Sequence, residues 1–320
     1  RDSIADARKE QVDLLLIAGD LFHRQPLPQE LKEVNYLFST IPETRVVLMA
    51  GNHDYLRPDS AYLSTTWSRN VACLFSRECE CVRFPEIGTE GYGLSYYRQE
   101  IPEPMYDSLH PVDSDCFQVL LAHGGDALHI PFQKEKLARS GFDYVALGHI
   151  HKPQELAENR VVYAGALSPI DCGDTGPHGY VLGTWERGKV TVEFVPRAKR
   201  EYAGLVLEVG EEDTTYSLRD RLERLIEQKG WQHIYRVVLQ GKRDPEIHFD
   251  TEKLTEYGMV LEVEDQTVPA FHLEELKRRY AGQLVGRYIE SFEGHERSKI
   301  EELALQYGLE ALLGQGGRKK

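Results

Sequence analysis

The chain has 320 residues, a net charge of −14, 41% hydrophobic residues and 28% charged residues. Its length supports one large core plus a smaller module, and the acidic balance of both halves excludes a protein that grips nucleic acid by bulk positive charge. No apolar run approaches the roughly 18 residues of a membrane span, and the first ten residues lack the apolar segment of a signal peptide.

Residues 1–11 read as the end of a helix that feeds a strand at Val12–Ala18, rich in Leu and Ile. The sequence Gly-Asp-Leu-Phe-His follows at 19–23. Pro28–Thr40 has Leu31, Val34, Leu37 and Phe38 at helical spacing. A second strand, Arg45–Ala50, runs into Gly-Asn-His-Asp at 51–54. Strands at Phe117–Ala122 and Tyr144–Leu147 run into Ala-His-Gly-Gly at 122–125 and Gly-His-Ile-His at 148–151. This alternation predicts a layered α/β domain, with ligand-type side chains gathered at the carboxyl edge of one open sheet. Further on, Arg160–Ala164, Gly179–Trp185 and Lys189–Val195 are β-type runs, the last two joined by a hairpin turn at Arg187-Gly188-Lys189. The long Gly/Pro-rich loop Gly165–Gly179 reads as part of a site.

A smaller unit is expected after Arg200: strands at Gly204–Val209, Ile234–Gln240 and Met259–Val263 with an amphipathic helix at Ser217–Lys229. The expected division is a layered α/β domain at 1–197, an α+β cap at 198–266 and a helical segment at 267–320. In the last segment, helices are predicted at His272–Phe292 and Glu296–Leu313. Leu273, Leu276, Tyr280, Leu284, Tyr288 and Ile289 form an apolar stripe, suited to packing on the cap or to docking another protein's helices. The five cysteines (Cys73, Cys79, Cys81, Cys116, Cys172) are odd in number and irregularly spaced, which suits reduced thiols in a cytoplasmic protein. Cys79 and Cys81 have no second pair to complete a zinc site.

The four clusters supply oxygen and nitrogen donors of intermediate hardness, suited to manganese, iron or zinc. Asp20 is the candidate bridging carboxylate and Asn52 a neutral oxygen ligand. His149 and His151 alternate across a turn and can face different ions. Two cations about 3.5–4 Å apart generate a hydroxide nucleophile and clamp a phosphoryl group. His53 is placed to protonate the leaving oxygen, Asp54 to orient its imidazole, and His23 to touch the phosphate. The other histidines read as surface or packing residues, with reservations for His178, in the glycine-rich loop, and His129, six residues beyond His123.

With these residues in place, the chain resembles the calcineurin-like metallophosphoesterases. Within them it is similar to the SbcD-type DNA repair nucleases, above all the YhaO-like exonucleases. The resemblance rests on the four clusters, on Thr175-Gly-Pro-His-Gly179, and on Tyr-Gly-Leu-Glu-Ala-Leu-Leu at 307–313. It implies an αββα-type domain with a small cap and C-terminal helices. It makes Asp20 the bridging ligand; Asn52, His123 and His149 complete one metal site, His151 serves the other, and His53 is the acid. It further implies two manganese ions, DNA as substrate, a dimer, and an SbcC-like coiled-coil ATPase docked on the C-terminal helices.

One family motif is absent, since no histidine here has an aspartate two residues before it. The expectation is therefore a chain missing the opening Asp-x-His strand, able to hold one metal well and impaired in catalysis. The alternatives carried beside a DNA exonuclease are a small-molecule metallophosphatase or pyrophosphatase, and a non-catalytic scaffold on the same fold.

Overall fold

A computed structural model describes residues 1–112 and 115–314. The chain divides into two compact units, Arg1–Glu201 and Tyr202–Lys320.

The first unit begins with α1 (Asp2–Lys9), β1 (Leu14–Ala18), α2 (Pro28–Ser39), β2 (Arg45–Met49), α3 (Ala61–Ser64) and β3 (Val71–Cys73). Pro28 opens α2 at a position where its missing N–H costs nothing. Glu30 closes the same end by accepting from the Leu27 amide at 2.8 Å. The three strands pair in parallel in the order β1-β2-β3. Next come β4 (Glu80–Phe84), β5 (Thr89–Gly93), β6 (Phe117–His123), α4 (Lys134–Ala138), β7 (Tyr144–Gly148), β8 (Gln154–Ala157) and β9 (Val161–Tyr163), with β4 to β9 building a six-stranded sheet ordered β4-β5-β6-β7-β9-β8. A hairpin of β10 (Gly179–Glu186) and β11 (Lys189–Pro196) ends the unit. Arg187 and Gly188, at φ 53° and 76°, form its turn.

The strand pattern dictates the layering, because successive side chains point to opposite faces. Leu14 and Leu16 of β1, Val47 and Met49 of β2, and Val119 and Leu121 of β6 meet in one apolar cluster between the two sheets. Their alternates face outward. Leu15 and Val46 lie under α1 and α2, Leu48 under α2 and α3, and Leu120 and Ala122 under α4 and the loops beside it. The result is the αββα arrangement expected, with one correction. The ligand-bearing strands belong to two sheets, β1 and β2 to one, β6 and β7 to the other. Long apolar strands announce burial on both faces but do not disclose which partner they pair with.

The second unit starts with β12 (Tyr202–Val209), α5 (Thr215–Lys229), β13 (Ile234–Arg243), α6 (Thr251–Thr255), β14 (Val260–Asp265) and β15 (Val268–Pro269). The three longer strands are parallel, with β13 central, and the helices are the crossovers. Leu218, Leu222 and Ile226, four apart on α5, pack on Leu205, Leu207, Val237 and Leu239. The predicted helix His272–Phe292 is two helices, α7 (Leu273–Arg279) and α8 (Leu284–Glu290). Gly282 between them sits at φ 73°, a conformation no right-handed helix contains. The apolar stripe is correspondingly broken. Leu273, Leu276, Tyr280, Tyr288 and Ile289 join a cluster with Leu305 and Leu309 of α9 (Lys299–Leu312), whereas Leu284 is exposed. Residues 315–320, the end of the expected tail, lie outside the described residues. Among the described residues no helix is long and apolar enough to cross a membrane.

Candidate metal centre

The carboxyl ends of β1, β2, β6 and β7 deliver Asp20, Asn52, His123 and His149 to one place where the edges of the two sheets meet. Glycines make the approach feasible. A Cβ on Gly148 would strike the carbonyl oxygen of Ala18, and one on Gly51 would strike the Asp20 backbone and carboxylate. Asp20 and His149 hold positive φ, 49° and 94°, backbone strain of the kind that collects at functional sites.

His123 is fully buried. Its Nδ1 lies 2.8 Å from the Ala18 carbonyl oxygen, which can only accept, so the ring proton sits on Nδ1. Nε2 therefore presents a lone pair, 2.9 Å from Asn52 Oδ1 and 3.3 Å from Asp20 Oδ2. His149 Nδ1 faces the same Asn52 oxygen at 3.1 Å. The ligand atoms of Asp20, His123 and His149 lie within 4.8 Å of one another. Acceptors facing acceptors in a buried site repel one another unless a cation lies among them, so this donor set fits a divalent metal of the kind that imidazole, carboxylate and amide oxygen hold. Burial opposes ionisation of Asp20, while the His53 amide, donating to Oδ1 at 2.8 Å, favours the carboxylate.

The His53 ring packs on His23, centroids 4.0 Å apart, beside Asp20. Burial pushes the His53 pKa down, the neighbouring His23, His123 and His151 push the same way, and Asp20 opposes them.

One predicted role needs correction. Asp54 does not orient His53. It is completely buried, and its oxygens accept from the Gly51 amide (2.7 Å), the Phe22 amide (3.2 Å) and the Tyr62 hydroxyl (2.6 Å). It thus ties the Asn52 loop to the Asp20 loop. Burial, the dominant influence, raises its pKa. His151 has its Nδ1 bound to Asp174 at 2.9 Å, so Nε2 is the ring nitrogen it can offer to an ion.

Sequence reasoning missed four contributors. Asp174 comes from the glycine-rich loop that had been expected to approach the site. Asp126 lies 2.8 Å from His149 Nε2, and the only hint of it was its place three residues after His123. Tyr62 holds Asp54, and Tyr96 donates to the His123 carbonyl at 3.0 Å; neither carries a motif. His178 is buried, with Nδ1 donating to the Gly176 carbonyl at 2.9 Å.

Residues 2–153 match the profile of a family described as calcineurin-like phosphoesterase. The chain is 29% identical over 260 residues to the uncharacterized metallophosphoesterase YhaO of Bacillus subtilis (strain 168), an alignment covering 75% of this chain and 63% of that protein. It is 27% identical over 235 residues to the DNA double-strand break repair protein Mre11 of Halobacterium salinarum, covering 68% of this chain and 58% of that one. For the protein of the same name from Haloferax volcanii the identity is 30% over 205 residues, covering 61% and 43%. The chain thus spans less than two thirds of the length of each of these relatives.

Proposed function

We infer that this chain, whose residues 2–153 form a calcineurin-like metallophosphoesterase domain, works as a manganese-dependent DNA nuclease that hydrolyses phosphodiester bonds. The observation that carries the reading is the convergence of His123 Nε2, His149 Nδ1 and Asp20 Oδ2 on Asn52 Oδ1 and the space around it. These four residues would hold the cation. When bound, a divalent ion there acts as a Lewis acid toward the phosphoryl oxygens and lowers the pKa of water.

The protein's own part is positional. Asp54 locks the loops of Asp20 and Asn52 together, so the two oxygen ligands keep a fixed separation. His53 serves as the acid for the leaving oxygen, and His23, its ring tilted against that of His53, contacts the phosphate. The negative phosphodiester against this pair keeps the His53 proton in place and offsets the burial that lowers its pKa. His151, with Asp174 on Nδ1, keeps Nε2 free for a second ion. The resemblance to SbcD-type nucleases and the Mre11 relatives favours DNA over a small phosphoester. An SbcC-like ATPase docked on the C-terminal helices, and a dimer, complete the proposed assembly in the cytoplasm.

The test compares hydrolysis of labelled DNA oligonucleotides with that of p-nitrophenyl phosphate, in Mn²⁺ and in EDTA, for the chain, for Asn52→Ala and for His53→Gln. Manganese-dependent cleavage of oligonucleotides, lost about 100-fold or more in both variants, is expected. Extending the chain upstream by a strand bearing Asp-x-His should raise that activity. Turnover of the monoester with DNA left intact in both forms would overturn the nuclease reading.

A further inference from the structure

His149 is held from both sides. Nε2 lies 2.8 Å from Asp126 Oδ2, while Nδ1 lies 3.1 Å from Asn52 Oδ1. A carboxylate only accepts hydrogen bonds, so a neutral His149 must carry its proton on Nε2 and expose a lone pair at Nδ1. Without that carboxylate the ring has an attractive alternative. It can place the proton on Nδ1 and donate to Asn52 Oδ1, which satisfies both groups and blocks the amide oxygen and the imidazole as metal ligands.

Asp126 is half exposed, yet its carboxylate is held in one orientation. Its Oδ1 accepts from the backbone amides of Leu128 (2.8 Å) and His129 (3.0 Å), and the His129 Nδ1 lies 2.8 Å from both oxygens. Burial works against ionisation there, but these donors together with His149 keep its pKa well below the usual carboxylate range. The His129 ring packs on the His149 ring with centroids 4.5 Å apart, and its carbonyl accepts from Gly125 at 2.7 Å, which closes the turn.

We propose that Asp126, braced by His129, is a positioning residue that locks His149 in the Nε2–H tautomer and so keeps the metal centre open. The proposal rests on the reading of Asn52, His123 and His149 as a divalent-cation site, and it is independent of what the cation is used for. Partners on the far nitrogen of a metal-binding histidine typically change metal affinity by about 10–100-fold.

The test is made on the full chain without substrate, so a failure of the nuclease reading leaves it untouched. Calorimetric titration with Mn²⁺ is expected to show Asp126→Ala binding about 10–100-fold more weakly. Asp126→Asn, which keeps one acceptor for His149, should recover much of the loss, and His129→Phe, which keeps the ring packing, should lose less than Asp126→Ala. Imidazole ¹⁵N shifts of the metal-free protein, with His149 assigned by a His149→Gln control, should report Nε2–H in the parent and a move toward Nδ1–H in Asp126→Ala. Circular dichroism confirms folding, and Asp126→Leu, which also removes the acceptor, carries the test should the alanine variant unfold. Unchanged affinity together with an unchanged tautomer would overturn the lock. So would loss of one whole equivalent of Mn²⁺ in Asp126→Ala that Asn52→Ala retains, because Asp126 would then be a ligand itself.

Discussion

The tie between the two metal-bearing loops can be cut with a single oxygen atom. Tyr62→Phe removes the hydroxyl that donates to Asp54 Oδ2 at 2.6 Å and leaves the ring in place, so no cavity forms. Both residues are essentially excluded from water, so water does not replace the lost donor. Asp54 then keeps two amide donors for a charge that burial already penalises. A hydrogen bond to a charged group contributes about 1.5–3 kcal/mol, and in a unit of this size each kcal/mol shifts the melting temperature by about 2–4 °C. The expected loss is therefore about 3–12 °C for the first unit. In a Trp185→Phe, Trp231→Phe background, Trp67, whose ring stacks on Tyr62 with centroids 6.2 Å apart, gives a local fluorescence probe that separates this transition from melting of the second unit. Manganese affinity should fall in parallel, since the loops of Asp20 and Asn52 lose their shared anchor. A melting curve within 1 °C of the parent, with Mn²⁺ binding unchanged, would refute the reasoning.

Two further outcomes follow. In Gly51→Ala the new methyl meets the backbone and carboxylate of Asp20 and the ring of His123; Mn²⁺ affinity should drop about 10-fold or more while far-UV dichroism stays native, and parental affinity by calorimetry would contradict the packing argument. Glu301 caps the amino end of α9. The Ser298 amide (2.9 Å), followed by the His295 ring and the Ser298 hydroxyl, lowers its pKa to about 2. A carboxyl with a depressed folded pKa stabilises above its unfolded value of about 4.3 and loses that contribution as pH falls toward the folded one. Unfolding of the second unit should therefore become easier between about pH 5 and 2, and Glu301→Gln should flatten that slope. An identical pH profile for the variant in denaturant melts would count against the cap.

Local sequence determined the strands that end in the four ligand clusters, the longer helices α2, α5 and α9, and the clusters themselves, whereas β3, β4, β5 and β8 carried no such signal. An apolar run ending in Gly-Asp or Gly-Asn-His states by itself that a polar side chain waits at a strand end. Tertiary structure alone decided the rest, because each remaining feature depends on residues far apart in the chain. Pairing between distant strands put Asp20 and Asn52 on one sheet and His123 and His149 on another. Asp54 follows His53 directly, yet its partners are Phe22, Gly51 and Tyr62, since a buried carboxylate takes whichever donors surround it. His151 met Asp174 of a loop whose path no spacing rule describes. Asp126 became the partner of His149 across 23 residues because β6 and β7 are hydrogen-bonded neighbours and end at the same edge. Spacing along a chain reports which face or end a side chain occupies; only the closing of the two sheets on each other settles what that side chain meets.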